Sequence, residues 1–329
     1  MMTIEDFYNE WNNKADKLLV HTSGSTGKPK PLWVEKRRME ASANITCDFL
    51  GLQEGDTALL CMSLDFIAGK MMVVRSIVRG LELIVIPPSG HPLCDENWQG
   101  MVNKDITFAA MVPLQVYNSL QTNEERERLM SIKHLIIGGG AIDEDLATEL
   151  KTFPHAVWST YGMTETLSHI ALRRLSGEEA SDWYTPFPSV NISLAEDGCL
   201  MINAPLVCSE TLKTNDIAEI QDGKFRIIGR KDNVIVSGGV KIQIEEVERI
   251  LRQYIKTPFL ITKRQDKKFG EIVVMLSTAE DLTETKYICE QMLPKFWQPR
   301  AFVTVQEIPM TTTGKPARKE AERLAKETI

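Results

Sequence analysis

Between residues 18 and about 160, short apolar runs alternate with segments of helical periodicity. The predicted strands are 18–20, 58–62, 81–86, 106–111, 134–137 and 156–158, and the predicted helices are 36–50, 67–79, 113–120 and 143–151. This alternation is typical of βαβ units, so the sequence predicts a layered α/β domain with a largely parallel sheet. Ligands of such sheets commonly bind to loops that follow the carboxyl ends of the strands.

The pattern changes near residue 190. Paired apolar runs at 191–194 with 199–203 and at 218–220 with 224–228 flank Asp-Gly dipeptides, which predicts two hairpins. From about 233 the sequence predicts helices at 244–255, 283–293 and after Pro316, with strands at 259–262, 272–276 and 302–305. The predicted fold class is therefore α/β, with a large layered N-terminal domain that has a hairpin-rich end and a small α+β C-terminal domain. We expect these domains to span 1–231 and 232–329 and to be joined by a short hinge.

Composition restricts the partners that this chain can have. Its 329 residues carry a formal net charge of −7, which provides no general electrostatic basis for binding nucleic acid or an anionic membrane. The six cysteines and five histidines are dispersed, so the sequence predicts no zinc site. No signal-peptide pattern opens the chain, and no apolar run approaches the roughly 18 residues of a membrane span. We therefore predict a cytoplasmic protein that acts on small molecules.

The segment 21–30, His-Thr-Ser-Gly-Ser-Thr-Gly-Lys-Pro-Lys, directly follows the first predicted strand. Its glycines allow backbone N–H groups to turn toward a ligand, and its hydroxyl and ammonium groups add donors, which favours binding of a polyphosphate. The spacing is not that of a Walker P-loop, since only two residues separate Gly24 from Gly27 and Pro29 follows Lys28. A P-loop kinase or GTPase is thus disfavoured, and a plain Ser/Gly surface turn is the alternative interpretation.

Five further segments carry residue types that suit a nucleotide and its substrates. The segment 161–165, Tyr-Gly-Met-Thr-Glu, lies where the sequence predicts that a short strand leads into a helix. Its aromatic ring can stack on a base, its threonine can contact phosphate and its glutamate can hold Mg²⁺. Asp216 follows a predicted hairpin region and can accept both hydroxyls of a ribose. The other segments are 229–233 (Gly-Arg-Lys-Asp-Asn), 237–241 (Ser-Gly-Gly-Val-Lys) and 309–315 (Pro-Met-Thr-Thr-Thr-Gly-Lys). Each alone could be a turn or a cap, and only their joint occurrence in this order favours a functional interpretation.

Together with the loop at 22–30, these segments resemble the superfamily of adenylate-forming enzymes, which includes acyl- and aryl-CoA ligases, luciferase and the adenylation domains of non-ribosomal peptide synthetases. The resemblance covers residues 20–316 and implies ATP, Mg²⁺ and CoA as cofactors and cosubstrates. The residues implied to bind the nucleotide are Thr22, Ser23, Gly24, Ser25, Thr26, Gly27, Lys28, Gly139, Tyr161, Thr164, Asp216 and Arg230. The resemblance also implies Glu165 as the Mg²⁺ ligand, Asp232 as the hinge, Lys315 as the catalytic lysine, and Ser237, Gly238 and Gly239 as residues along the path of CoA.

Within this superfamily, the segments 159–169 and 229–241 are most similar to the o-succinylbenzoate–CoA ligase branch of menaquinone biosynthesis. That resemblance implies an aromatic acid with two carboxylates, which is activated with ATP as an acyl-adenylate and then transferred to CoA. Lys70, Arg75 and His169 are candidates to bind the second carboxylate, and roles at the solvent-facing surface or at helix caps are the alternative for all three.

The sequence departs from the superfamily pattern in two places. Thr214-Asn-Asp216 stands where Thr-Gly-Asp is usual, and only about twenty residues precede the phosphate loop, so we expect a shortened N-terminal part. Three alternatives stay open at this point. They are another aryl- or acyl-CoA ligase, an ATP-dependent phosphotransferase that would release ADP, and an inactive nucleotide-binding module. A homo-oligomer is compatible with each of them.

Overall fold

The computed structural model describes residues 2–21, 31–98, 105–140, 142, 144–311 and 316–327. The chain forms two compact units. The first unit comprises Met1–Ile192, Ile202–Leu212 and Gln221–Phe225, and the second comprises Ser193–Met201, Lys213–Ile220 and Arg226–Ile329. The expected boundary of mobile domains between residues 231 and 232 stays a prediction, because a hinge is defined by motion rather than by compactness.

The first unit is a layered α/β structure. Its elements, in chain order, are α1 (Ile4–Asn12), β1 (Lys17–His21), β2 (Pro31–Glu35), α2 (Lys36–Leu50), β3 (Thr57–Leu60), α3 (Ile67–Arg79), β4 (Glu82–Val85), α4 (Asp95–Trp98), β5 (Phe108–Met111), α5 (Pro113–Ser119), α6 (Asn123–Ser131), β6 (His134–Ile137), α7 (Glu144–Leu150), β7 (Ala156–Gly162), β8 (His169–Arg174) and β9 (Thr185–Pro186). Seven strands form a sheet in the order β4-β3-β5-β6-β7-β8-β9. The strand pairs from β4 to β7 are parallel, which confirms the predicted fold class, and β8 and β9 add antiparallel pairs at one side.

The sequence explains why this sheet and its helices form. All four residues of β5 are buried, as expected for a central strand of a parallel sheet that is covered on both faces. Helices α2 and α3 begin and end at the predicted residues, and each is followed by a glycine, Gly51 or Gly80, with φ of 68°. A left-handed residue after the last turn satisfies the free helix carbonyls, and glycine adopts it without a steric penalty.

The predicted hairpin-rich region forms a four-stranded sheet in the order β10 (Asn191–Leu194), β11 (Cys199–Asn203), β12 (Leu212–Gln221) and β13 (Lys224–Arg230). Asp222 and Gly223 between β12 and β13 have φ of 51° and 74°, and such a pair of positive values is typical of a two-residue hairpin turn. Asp216 follows β10 and β11, as expected, and lies inside β12, because this strand begins six residues before the predicted run.

The second unit contains the predicted α+β part. After β13 come β14 (Val234–Ser237), β15 (Val240–Gln243), α8 (Ile244–Arg252), β16 (Phe259–Asp266), β17 (Gly270–Ser277), α9 (Thr283–Met292), β18 (Ala301–Thr304) and α10 (Arg318–Glu327). The strands form a sheet in the order β15-β14-β17-β16, with β18 parallel to β17. Helices α8 and α9 pack on this sheet through a core that includes Ile235, Ile242, Val247 and Leu251. Within the described residues, no helix is both long enough and apolar enough to cross a membrane.

Candidate functional site

The predicted nucleotide residues Gly139 and Tyr161 lie at the same edge of the seven-stranded sheet. Strands β6 and β7 are parallel neighbours, and Ile137 at the end of β6 is in register with Ser159. The chain approaches β7 so closely here that a Cβ on Gly138 would lie 2.4 Å from the Oγ1 atom of Thr160. Gly139 follows with φ of 80°. A side chain at either glycine would therefore disturb the loop after β6, which supplies backbone groups at this edge.

The ring of Tyr161 is held by two other aromatic residues. Its centroid lies 5.7 Å from that of Tyr184 and 5.0 Å from that of Phe225, the latter at an interplanar angle of 78°. Tyr184 and Phe225 also exchange two backbone hydrogen bonds, of 2.7 and 3.0 Å, and the hydroxyl groups of Tyr184 and Ser159 lie 2.9 Å apart. These contacts fix the orientation of the Tyr161 ring. Sequence reasoning missed Tyr184 and Phe225, because only the fold brings residues 161, 184 and 225 together.

The segment that carries Thr164 and Glu165 differs from the expectation that a helix follows a short strand. Strand β7 runs four residues further than predicted and includes Tyr161 and Gly162, since β8 pairs with its end in antiparallel register, Tyr161 with Ala171. A single 3₁₀ turn, Thr164–Thr166, then leads directly into β8. The side chain of Thr164 is buried in this turn, whereas Glu165 is exposed at its tip.

Glu165 suits the Mg²⁺ role that the sequence implies. Within the described residues, no group of three or more His, Cys, Asp or Glu side chains could hold a metal ion. Mg²⁺ keeps several waters and is usually held by one or two carboxylates together with substrate phosphates. A single exposed carboxylate beside the edge that carries Gly139 and Tyr161 fits this type of site better than it fits a closed metal cage.

Two of the three predicted acid-binding residues belong to one buried polar cluster, which we call the Arg75 cluster and which consists of Thr46, Arg75, Ser168 and His169. The Nη2 atom of Arg75 donates to Oγ of Ser168 at 2.7 Å and to Oγ1 of Thr46 at 3.5 Å. The Nε2 atom of His169 lies 3.1 Å from Thr46 Oγ1, and its Nδ1 atom lies 3.2 Å from Ser168 Oγ. The predicted alternative, a solvent-facing or capping role, does not apply to Arg75, which is 2% exposed.

The Arg75 cluster contains a buried positive charge, which is unusual for the core of a protein. Burial lowers the pKa of Arg75 to about 10, so the guanidinium is still charged at neutral pH. Burial and then the charge of Arg75 lower the pKa of His169 well below its ordinary value, so the imidazole is neutral. The Nε atom of Arg75 is buried and has no hydrogen-bond partner among the described residues. Among the same residues, no carboxylate pairs with the guanidinium group. A buried cation in this state favours an incoming anion.

Lys70, the third predicted acid-binding residue, lies on the same helix as Arg75 but has separate contacts. Its Nζ atom donates to the carbonyl of Leu19 at 3.1 Å and lies 6.0 Å from the ring centroid of Phe7. Burial lowers the pKa of this ammonium group, although Glu10 and Asp65 partly offset the effect. Lys70 therefore ties α3 to β1, and these contacts are structural.

In the second unit, the predicted ribose and hinge residues contact one another. The Nη1 atom of Arg230 lies 3.1 Å from Oδ1 of Asp216, and its Nη2 atom lies 3.0 Å from Oδ2 of Asp232. Asn215 also donates to Asp232 Oδ2, at 3.3 Å. Although burial alone would lower it, the carboxylates of Asp232 and Asp216 raise the pKa of Arg230 above its ordinary value. Asn215, which stands where the superfamily resemblance implies a glycine, thus adds a hydrogen bond to the predicted hinge residue.

Gln243 is a further residue that sequence reasoning missed. It is buried at the end of β15, and its Nε2 atom donates to the carbonyl of Arg230 at 3.0 Å and to Oε2 of Glu245. The amide lies so close to the chain that a Cβ on Gly229 would be 2.3 Å from it. The glycine at the start of the 229–233 segment is therefore explained by packing against Gln243.

The predicted CoA residues form the turn between β14 and β15. Gly238 and Gly239 have φ of 57° and 84°, which is typical of a two-residue hairpin turn that requires glycine-like conformations. Ser237 and Val240 close this hairpin, and the N–H of Gly238 donates to the carbonyl of Phe269 at 2.8 Å. The predicted phosphate-loop residues Thr22, Ser23, Gly24, Ser25, Thr26, Gly27 and Lys28, and the predicted catalytic Lys315, lie outside the described residues.

Comparison with known proteins relates this arrangement to an enzyme family. A model of the family described as AMP-binding enzyme matches residues 8–200. A 2-succinylbenzoate–CoA ligase of Bacillus cytotoxicus is 25% identical, over 94% of this chain and 70% of its own length. The crystal structure of an acyl-CoA synthetase (AMP-forming)/AMP-acid ligase II-like protein from Dyadobacter fermentans is 32% identical with a TM-score of 0.65, and it covers 96% of this chain and 91% of that one. An O-succinylbenzoate coenzyme A synthetase from Bacillus subtilis, in complex with ATP and magnesium ion, has a TM-score of 0.75 at 23% identity, over 92% of this chain and 69% of that one, and so shares the fold.

Proposed function

Because the chain belongs to the AMP-binding enzyme family, we propose that it is an AMP-forming acid–CoA ligase whose acid is o-succinylbenzoate. In this proposal, ATP activates one carboxylate of the acid as an acyl-adenylate, and the acyl group then passes to the thiol of CoA. The name of the Bacillus cytotoxicus relative and the sequence similarity to the same branch of the superfamily support this substrate. The reaction would supply menaquinone biosynthesis and take place in the cytoplasm.

The observation that carries the choice of acid is the Arg75 cluster. An o-succinylbenzoate molecule has two carboxylates, only one of which reacts. The other needs a cation or donors in a pocket that also accepts an aromatic ring. Arg75 presents a buried charge whose Nε atom has no partner among the described residues, and the ring of Phe187 lies 5.5 Å from His169, centroid to centroid. We assign the second carboxylate to Arg75, with the neutral His169 as a further hydrogen-bonding group.

The other predicted site residues each have a role in the first half-reaction in this proposal. Tyr161 would stack on the adenine, Gly139 and Thr164 would contact the nucleotide, and Asp216 with Arg230 would bind the ribose. Glu165 would hold Mg²⁺, which neutralises charge on the phosphates when it is bound. The chain provides no covalent nucleophile in this proposal, so it would accelerate the reaction by alignment and charge stabilisation. The loop at 22–28 and Lys315 would act on the phosphates, and Asp232 would be the hinge for the second half-reaction with CoA near Ser237–Gly239.

The direct test is analysis of the products formed from ATP, CoA and o-succinylbenzoate. We expect AMP, pyrophosphate and o-succinylbenzoyl-CoA in equal amounts, and a panel of benzoate, cinnamate and short aliphatic acids should react more slowly. Release of ADP would contradict the ligase and support a phosphotransferase. Faster thioester formation with another acid than with o-succinylbenzoate would support the reaction class but contradict the proposed substrate.

A second test addresses the ribose pair. Asp216→Asn should raise the KM for ATP by about 10–150-fold, because a hydrogen bond to a charged group contributes about 1.5–3 kcal/mol. Glu219→Gln is the matched control, since Glu219 also lies on β12 and pairs with an arginine of β13, Arg226, at 2.7 Å. Steady-state kinetics at saturating acid and CoA would measure both variants. Equal KM values for the two variants would remove Asp216 from the nucleotide site.

A further inference from the structure

The turn between β7 and β8 contains a strained residue that no described function explains. Leu167 has φ of 66° and ψ of −36°, and it is one of two non-glycine residues with positive φ among those described. The N–H of Ser168 donates to the carbonyl of Thr166 at 2.7 Å, which closes a three-residue γ-turn around Leu167. This form of the γ-turn is rare and strained for an L-residue, and it persists only where surrounding contacts impose it.

The contact that imposes the turn comes from Thr166. Its hydroxyl is completely buried, accepts from the N–H of Met163 at 3.0 Å, and lies 2.8 Å from the carbonyl of Ser168, to which it can donate. One side chain thus connects the residue before Thr164 and Glu165 to the residue after Leu167. The carbonyl of Thr164 also accepts from the N–H of Leu167 at 2.9 Å, so both ends of the turn are joined.

Contacts with Gly162 and with Arg75 restrict the backbone conformation of the turn. A Cβ on Gly162 would lie 2.3 Å from the carbonyl oxygen of Ser168, so the two arms of the turn are in direct contact. The register of β7 and β8 shifts at Tyr161 and Gly162, which marks a bulge at the same place. On the other side, Ser168 accepts from Arg75 at 2.7 Å. These contacts hold the buried Leu167, which is 3% exposed, in its positive-φ conformation.

This construction affects Glu165 because that side chain has little support of its own. It is exposed at the tip of the turn, and among the described residues none is hydrogen-bonded to its carboxylate. The position of Glu165 and the direction of its Cα–Cβ bond are therefore set by the backbone of residues 163–168, which the Thr166 hydroxyl closes. Groups that orient a metal ligand through direct hydrogen bonds commonly change metal affinity or activity by 10- to 100-fold when they are removed, and a group that acts through the backbone should have an effect at the lower end of this range.

We propose that Thr166 is a positioning residue for the Mg²⁺-binding carboxylate of Glu165, and that its hydroxyl acts by holding the strained turn at Leu167. This proposal rests on the proposed function, which gives Glu165 its Mg²⁺ role. Because the Thr166 side chain is fully buried, it would contact neither the metal nor the substrate, so its removal should change Mg²⁺ dependence and turnover more than the KM for the acid.

The test compares Thr166→Val, which removes the hydroxyl at nearly constant volume, with Thr166→Ser, which retains it. We expect the Val variant to need on the order of 10-fold more Mg²⁺ for half-maximal pyrophosphate release, with a lower kcat and an acid KM within about twofold of the parent. The Ser variant should retain most of the activity and the parental Mg²⁺ dependence. Thr148→Val is the control for the substitution, because Thr148 is exposed and its hydroxyl donates to a carbonyl of its own helix, that of Glu144 at 2.8 Å.

Mg²⁺ dependence that is unchanged in Thr166→Val, or altered equally in the Val and Ser variants, would overturn the proposal. If the Val variant does not fold, Thr166→Ala provides the same comparison with Thr166→Ser. Calorimetric titration of ATP at several Mg²⁺ concentrations gives a readout that does not depend on turnover. Failure of the proposed function would give a different result. The parent protein would then form no acyl-adenylate, while Thr166→Val would still weaken the Mg²⁺-dependent binding of ATP.

Discussion

Replacement of Arg75 by methionine is expected to raise the KM for o-succinylbenzoate by at least about 30-fold while the melting temperature stays equal or rises. Removal of one partner from a buried charge pair costs about 2–5 kcal/mol of binding free energy, which corresponds to this factor or more. The stability should behave differently, because a buried charge without an opposite charge costs free energy in the unliganded protein. Methionine fills a similar volume and has no charge to desolvate. Steady-state kinetics and thermal unfolding of the same preparations would measure both quantities.

The neighbouring Arg79→Met variant is the matched control for this prediction. Arg79 lies on the same helix, but it pairs with Asp48 at the surface and belongs to no predicted site. The Arg79→Met variant should therefore have the same KM for the acid as the parent protein. A lower melting temperature with an unchanged KM in Arg75→Met would identify the Arg75 cluster as a structural feature of the core. Benzoate, which has no second carboxylate, should react about equally poorly with the parent and with Arg75→Met.

Local sequence patterns were sufficient to predict several elements of the first unit, including the strand that precedes Gly139. Helices α2 and α3 and strand β6 begin and end where the apolar periodicity predicted, because strong periodicity and flanking glycines act within the segment itself. The parallel order of the strands followed from the same alternation. By contrast, β8 and the hairpin of β14 and β15 were missed, since short strands gain most of their stability from a pairing partner that is distant in sequence or from packing.

The candidate site shows the same division between local and tertiary information. The motif residues Tyr161, Glu165 and Asp216 could be named because their residue types and order are visible in the sequence. The supporting residues could not, since Phe225 packs on Tyr161 only because the fold brings together two residues that are about sixty positions apart. The strained conformation of Leu167 was also invisible, because leucine has no intrinsic preference for positive φ and only the surrounding fold imposes it.

Replacement of Lys315 by alanine is expected to slow formation of the acyl-adenylate by about 10²–10³-fold, because loss of one donor to developing charge in a transition state typically has this effect. The sequence resemblance assigns this ammonium group to the junction between the carboxylate and the α-phosphate, where a compact cation stabilises both groups. The second half-reaction has no such junction to form, so thioester synthesis from CoA and chemically prepared acyl-adenylate should be largely retained. Lys319→Ala, at an exposed position in the same tail, is the matched control and should affect neither step. Pyrophosphate exchange would measure the first step and thioester absorbance the second. An equal loss in both half-reactions would mean that Lys315 supports the fold or the binding of both substrates, and its assignment as the catalytic lysine would then be wrong.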